Sequence, residues 1–325
     1  MIRRVLAIFL LILAACIVIA VPLLILTPAG NQILSTLHLT EPTPTPALLK
    51  PMPTPTPAPI LTVKGPLPSV QASAAYLLDM DTQHVLDDDN GEQPLPMAST
   101  TKIMTALVAI QTGNLEQLIP VKQDAYNRVH IDGGSSANLR VGDKIPLKEL
   151  LYGLLLPSGD DAAVAIADEL GEGSQETFVQ RMNLFAYRLH LFQTHYTNVD
   201  GLTLEDNAPH YTTAADLARL AQYAMSIPLF AQIVHTPKYY LPATASHLAY
   251  TWLTTNNLLT TYDGMLGIKT GHTYAAGYCL VFAAERNKHH LIGVILNSPS
   301  EVQRDHDVAK MLNWGFSLPL LPSSS

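Results

Sequence analysis

Gly277-Tyr278-Cys279-Leu280-Val281-Phe282-Ala283-Ala284, the polar stretch Glu285 to His289, and His290-Leu291-Ile292-Gly293-Val294-Ile295-Leu296-Asn297 read as two strands joined by a turn. Short apolar runs bounded by turn residues are strand-like. A second pair stands at the other end of the globular part, Ala74 to Asp79 and Gln83 to Asp87, around a Met80-Asp81-Thr82 turn. The roughly two hundred residues between the pairs read mainly as helices. These are Ser99 to Gln111, closed by Gly113, then Leu147 to Leu156, Asp160 to Leu170, Glu176 to Leu189 and Thr213 to Met225. Val302 to Trp314 is expected to be a closing helix on the sheet. Strands segregated from helices argue for an α+β fold. Its N- and C-terminal strands would join in one antiparallel sheet, with a helical insertion beside it.

Outward from this region the composition changes sharply. Val5 to Leu26 is a run of 22 residues without a charge, preceded by Arg3 and Arg4. A run this long can cross the hydrocarbon core as a helix, and the arginines favour a cytoplasmic N-terminus. The expectation is a retained anchor with the rest of the chain on the extracytoplasmic face. Two other readings export the same remainder: a cleaved secretory signal, and lipidation at Cys16 of Leu13-Ala14-Ala15-Cys16. Eight prolines then recur between Glu41 and Ile60, interleaved largely with threonine, which favours an extended polyproline II spacer. At ~3.1 Å per residue the segment 31–66 reaches as far as ~100 Å. The organisation expected is therefore an anchor or signal segment at 1–30, a Pro/Thr-rich linker at 31–66, a globular domain at 67–318 and a tail at 319–325.

Two cysteines, Cys16 and Cys279, on opposite sides of the linker, make an internal disulfide unexpected. A net charge of −8 offers no basic patch for nucleic acid. Twelve histidines invite a metal reading, yet there is no H-E-x-x-H. His190 with His195, and the pair His289-His290, show no ligand spacing with a carboxylate, so no metal and no cofactor are expected. The acidic run Asp87 to Gly91 lacks the alternation of a calcium loop and is read as a solvated turn.

Ser99-Thr100-Thr101-Lys102 opens a helix after Pro94-Leu95-Pro96, and residues three apart share a helical face, so the serine hydroxyl and lysine amine can touch. Serine is a poor nucleophile at neutral pH unless a base adjoins it, and a lysine buried near other cations gives up its proton at modest cost. S-x-x-K occurs about once by chance in a chain of this length, whereas Lys269-Thr270-Gly271 is expected on the order of 0.1 times or less. Ser158-Gly159-Asp160 lies between them at a helix start and supplies a second hydroxyl.

Ordered S-x-x-K, S-x-[ND] and K-T-G elements are the signature of penicillin-recognising serine enzymes. The surrounding text narrows the likeness: Gly133-Gly134-Ser135-Ser136, Leu150 to Gly159, Asp200-Gly201-Leu202, His210-Tyr211-Thr212-Thr213, Gly267 to Thr273 and Trp314-Gly315-Phe316. Over residues 70 to 317 the chain resembles the D-alanyl-D-alanine carboxypeptidase family. The resemblance implies a β-lactamase/DD-peptidase-like fold with a helical subdomain. It also implies removal of the terminal D-Ala from peptidoglycan stem peptides ending in D-Ala-D-Ala, with β-lactams as covalent inhibitors. Position by position, Ser99 resembles the acylated nucleophile, Lys102 its general base and Ser158 the hydroxyl that relays a proton to the leaving group. Lys269 matches the cation orienting that network, and Thr270 the contact to the substrate's terminal carboxylate. Arg304 matches the arginine supporting that contact, and Gly271 lets the backbone approach closely. The backbone N–H groups of Ser99 and His272 would form the oxyanion hole.

Asp160 stands where the family usually has asparagine. An ionised aspartate donates no hydrogen bond and, beside Lys102, favours the protonated, non-basic amine. That departure keeps a non-catalytic wall-binding or β-lactam-sensing module as an alternative. A β-lactamase would need a glutamate to activate water against the acyl-enzyme, and no convincing E-x-x-L-N lies between the second and third motifs.

Overall fold

A computed structural model of the chain describes residues 60–202 and 209–321. The expected membrane-spanning run Val5–Leu26, the linker as far as residue 59 and the last four residues of the tail lie outside that description. Among the described residues no helix is long and apolar enough to cross a membrane.

Ala74–Asp79 (β1) has every side chain buried, and the reason is its place inside a five-stranded antiparallel sheet. Val85–Asp89 (β2) lies on one side of it and His289–Ser298 (β5) on the other. Gly277–Arg286 (β4) and Met265–Thr273 (β3) follow, giving the order β2-β1-β5-β4-β3. The N-terminal strand is thus inserted against the C-terminal hairpin, Ala74 opposite Leu296 and Asp79 opposite Leu291, as the segregated strand pairs implied. The β4–β5 turn is two residues long, Asn287 and Lys288, both left-handed at φ 54° and 63°. Such turns match the twist of a hairpin.

Period-two alternation gives the sheet two apolar faces. Tyr76, Leu78, Val281, Ala283, Ile292 and Val294 face the helices, while Leu77, Leu280, Phe282, Leu291 and Ile295 pack with Val308, Met311 and Leu312. Gly293, opposite Phe282, leaves the space the aromatic ring fills, since a Cβ there would meet the ring at 2.4 Å. The helices are Lys102–Thr112 (α1), Gln123–His130 (α2), Leu147–Leu155 (α3), Asp160–Leu170 (α4), Gln175–Arg188 (α5), Ala214–Met225 (α6), Pro228–Val234 (α7), Leu258–Thr261 (α8) and Glu301–Ser317 (α9). Side-chain oxygens of Ser174, Thr213 and Ser300 accept the N–H three residues on, which fixes where α5, α6 and α9 begin. Helix α9 covers one face of the sheet, and α1, buried over most of its surface, lies within the helical layer on the other.

Three differences from the sequence reading have local causes. The second strand begins at Val85, not Gln83, because Asp79 caps a turn that runs on to Gln83, whose φ is 61°. Asp87 to Asp89 belong to β2, an edge strand whose charges discourage further pairing. Met265–Thr273 is a nine-residue strand where the sequence reading marked only a motif, because its pairing with β4 supplies the order that its broken apolar run does not signal. At the ends of the described domain, Ile60–Leu61 pairs with Leu320–Leu321.

Candidate active site

Ser99 sits one turn earlier in the structure of its segment than its motif suggests. Ala98–Thr101 is a 3-10 turn, and the α-helix starts at Lys102. Ala98 before the serine is left-handed, at φ 46°. Non-glycine residues held there carry strain, and the surroundings must impose it. The imposing contacts are specific. Thr101 Oγ1 donates to the Ala98 carbonyl at 2.8 Å, and Gly201 lies so close that a Cβ there would stand 1.8 Å from that oxygen. His210 Nε2 lies 2.8 Å from Thr101 Oγ1, while the Thr197 N–H donates to Nδ1 at 3.0 Å. Nδ1 is therefore the acceptor and Nε2 carries the proton. Burial pushes His210 down to about 4, so this imidazole is neutral at pH 7.

Lys102 is fully buried at the start of α1. Its Nζ donates to Ser99 Oγ and to the Asp200 carbonyl, both at 2.8 Å, and forms an ion pair with Asp160. Asp160 begins α4, exchanges backbone and side-chain hydrogen bonds with Ser135, and is held upward in pKa by burial, with Lys102 opposing. Burial also pushes Asp200 upward, but bidentate bonds from Arg128 of α2, at 2.6 and 2.8 Å, with the nearby charge of Lys102, outweigh it. The Asp200 carboxyl lies below the usual range.

Ser158, the last residue but one before α4, is itself left-handed at φ 65°. Lys269, on β3, donates to its Oγ at 2.9 Å and to the Thr270 carbonyl at 2.9 Å. Burial first, and the positive charge of Lys102 second, push Lys269 well below the ordinary lysine value. Thr270 shares a 2.6 Å hydrogen bond with Thr255. Gly271 brings the β3 backbone against the turn that holds Ser99, where an added Cβ would stand 3.1 Å from the Ser99 amide nitrogen. His272 stacks on Tyr278 with ring centres 4.1 Å apart.

These groups converge on a cleft of about 300 Å³ whose walls include Ser99, Ser158, Thr270, Gly271, His272 and Arg304. Lys102, Lys269 and Asp160 lie beneath it, and all nine residues expected from the motifs are gathered at this one place. Arg304, in α9, is buried at its edge, its guanidinium held by Asp305 at 2.7 and 2.9 Å and by Glu301 at 3.4 Å. Sequence reasoning missed Arg128, Thr255 and Glu301, which belong to no motif. Asp200 was visible only as part of Asp200-Gly201-Leu202, with no role attached. Chemically the site offers two hydroxyls, each in contact with a buried amine, beside a strand edge and a turn rich in backbone N–H groups. Nucleophilic attack by one hydroxyl with proton transfer through the amines is what such a set can perform.

A family model described as D-alanyl-D-alanine carboxypeptidase matches residues 61–300. A D-alanyl-D-alanine carboxypeptidase of Streptomyces sp. (strain K15) is 38% identical over 263 residues, which cover 77% of this chain and 89% of that protein. DacF of Bacillus subtilis (strain 168) is 35% identical over 251 residues. This match covers 76% of the present chain but 62% of DacF, and the match to DacD of Escherichia coli (strain K12) covers 64% of DacD. Among solved structures, the Streptomyces K15 DD-transpeptidase superposes with a TM-score of 0.74 at 37% identity, covering 78% of this chain and all of that one. A D-alanyl-D-alanine carboxypeptidase from Mycobacterium tuberculosis H37Rv gives 0.70 at 30% identity, covering 82% and 97%.

Proposed function

The chain belongs to the D-alanyl-D-alanine carboxypeptidase family, and from that membership we propose how its own residues carry out the reaction. The protein is a serine D-alanyl-D-alanine carboxypeptidase acting on peptidoglycan. The observation that carries the residue assignment is the meeting, in one cleft, of two Ser–Lys pairs brought from different parts of the chain: Ser99 with Lys102 and Ser158 with Lys269.

Ser99 Oγ attacks the carbonyl of the penultimate D-Ala while its proton passes to Lys102 in the amine form. That amine keeps two donors, for the Asp200 carbonyl and the Asp160 carboxylate, and turns its lone pair to Ser99. The oxyanion is received by the backbone N–H groups of Ser99 and His272, which Gly271 allows to approach one another. The proton then moves through Ser158 to the departing amine, the C–N bond breaks, and D-alanine leaves. Water attacks the acyl-serine, releases the shortened peptide and restores the Ser99 hydroxyl. Thr270, with Arg304 behind it, suits the substrate's terminal carboxylate. Lys269, whose pKa burial holds well below the ordinary lysine value, orients the relay through its hydrogen bond to Ser158. A β-lactam presenting its strained carbonyl to Ser99 would stop at the acyl stage.

Release of D-alanine from a pentapeptide ending in D-Ala-D-Ala, measured on the purified full chain in detergent, tests this reading. Release with a β-lactam adduct mapped to Ser99 supports it. An adduct on Ser158, or binding without turnover, would overturn the residue roles. An added amine acceptor separates hydrolysis from transfer.

The N-terminal segment is proposed to hold this domain on the extracytoplasmic face of the bacterial membrane. Its support is the charge-free run Val5–Leu26 behind Arg3 and Arg4, followed by a proline-rich spacer. Protease added to spheroplasts should then release a soluble fragment starting in the linker. Protection of the domain would refute the orientation, and a mature chain starting at acylated Cys16 would replace the spanning helix by a lipid.

A further inference from the structure

At the end of β5 away from the cleft, ~30 Å along a ten-residue strand, lies a second cluster of ionisable groups that the reaction does not use. The sequence reading found no carboxylate partner for His289-His290, but the fold provides two, Asp79 at the end of β1 and Asp81 in the turn after it. Asp79 is fully buried, and His289 Nε2 stands 3.1 Å from its Oδ1. His289 Nδ1 is 3.5 Å from Asp81 Oδ2, and His290 Nδ1 is 3.0 Å from Asp81 Oδ1. One donor atom from each of Asp79, Asp81 and His289 falls within 4.8 Å of the others.

The contact between Asp79 and His289 is not a hydrogen bond. Nε2 of His289 is shut off from solvent and has no hydrogen-bond partner despite the carboxylate oxygen 3.1 Å away. A buried nitrogen left in this way costs free energy. A ring nitrogen and a carboxylate oxygen separated by this distance, off the hydrogen-bonding direction, are spaced as two ligands of one cation. Donors each ~2.1 Å from a tetrahedral metal lie ~3.4 Å from one another, within a few tenths of an ångström of the 3.1 Å between these two atoms. The supporting shell is also built. Asp79 accepts from the backbone N–H groups of Asp81 and Thr82 and from Thr82 Oγ1. Asp81 accepts from the His290 N–H at 2.8 Å, and His290 Nε2 lies 3.6 Å from Glu285. Hydrogen bonds of this kind orient metal-ligating carboxylates.

We propose that Asp79, Asp81 and His289 form a structural site for a divalent first-row transition cation, Zn2+ foremost, clamping the β1–β2 turn to the β4–β5 hairpin. One imidazole and two carboxylates are borderline-to-hard donors that suit Zn2+ better than Ca2+ or Mg2+. The site is independent of the hydrolytic reading.

The test uses the full chain in detergent, stripped with a chelator and dialysed, with ZnCl2 as probe. Calorimetric titration and elemental analysis should find one equivalent bound, and the unfolding temperature should rise with free Zn2+. His289→Ala should weaken binding at least about a hundredfold, and Asp81→Asn should weaken it in the same sense. Co2+ in place of Zn2+ should give a ligand-field absorption that His289→Ala abolishes. D-alanine release should be the same with and without the metal. No bound equivalent in the wild type would mean that these residues form only His–carboxylate ion pairs. Unchanged affinity in His289→Ala would place the metal on other histidines. Either result overturns the proposal.

Discussion

The two Ser–Lys pairs of the cleft use the same residue types at nearly the same distance, 2.8 Å between Lys102 and Ser99 and 2.9 Å between Lys269 and Ser158. Both lysines are buried and both serines depend on a left-handed residue, Ala98 in one case and Ser158 itself in the other. Their immediate partners differ in charge. Lys102 is in contact with the carboxylate of Asp160 and lies near that of Asp200, which is anchored by Arg128. Lys269 has only neutral oxygens within hydrogen-bond reach; Lys102 and Arg304 add positive charge around it, which the carboxyl of Asp160 partly offsets. Burial alone disfavours an ammonium, and a carboxylate in contact opposes that effect. One fold thereby holds a lysine paired with a carboxylate next to Ser99, and next to Ser158 another with no carboxylate in hydrogen-bond reach, whose pKa burial holds well below the ordinary lysine value.

The two pairs should differ most at their serines. Ser99→Ala should abolish the β-lactam adduct and reduce D-alanine release by several orders of magnitude, whereas Ser158→Ala should keep the adduct on Ser99 but slow acylation by ~10²–10⁴-fold. Intact mass and stopped-flow acylation would show both, and equal effects would mean the pairs are interchangeable.

A smaller effect separates the supports of the two pairs. His210 steadies the turn before Ser99 and has no counterpart beside Ser158. Its folded value of about 4 lies below the ordinary 6.5, so between these values the unfolded chain binds more protons. Stability is therefore lost as pH falls from 6.5 towards 4, by about 3 kcal/mol for this group. Urea midpoints at pH 7 and 4.5 should show that loss in the wild type and a smaller one in His210→Gln. Identical slopes would show that His210 is not the titrating group.

The smallest expected change sharpens the charge argument itself. Asp160→Asn removes the charge that favours the ammonium of Lys102. The alkaline-rising limb of the acylation profile should then move to lower pH, by about one unit or less, with activity retained. An unmoved limb would uncouple Asp160 from the base, and loss of activity would give the carboxylate a role of its own.

How far the sequence was legible follows from where each signal resides. Ala74–Asp79 and Asp160–Leu170 have the bounds their patterns imply, because apolar periodicity and a cap are local properties. Met265–Thr273 was not legible as a strand, since Gly267, Lys269, Gly271 and His272 interrupt the apolar run that marks one. The chemistry of the motif obscured its own backbone. Nothing near Ser99 announces the 3-10 turn, because Ala98 is driven left-handed by contacts with Gly201 and, through Thr101, with His210. The carboxylates beside His289 and the Arg128 fork on Asp200 are products of tertiary folding, and residue spacing carries no trace of them.

The insertion of β1 between β2 and β5 also sets a schedule. Ser73 and Asn297, joined by a side-chain hydrogen bond beside the β1–β5 pairing, are 224 residues apart. At a synthesis rate of ~5–20 residues per second, β1 is made roughly 10–40 s before its central partner exists. Throughout that interval its apolar edge is exposed on an incomplete chain, and loop closure over such a distance slows the final docking. The cleft takes Ser99 from early in the chain and Thr270, Gly271, His272 and Arg304 from β3 and α9, so it is complete only after the C-terminal part of the sheet and its covering helix have been made.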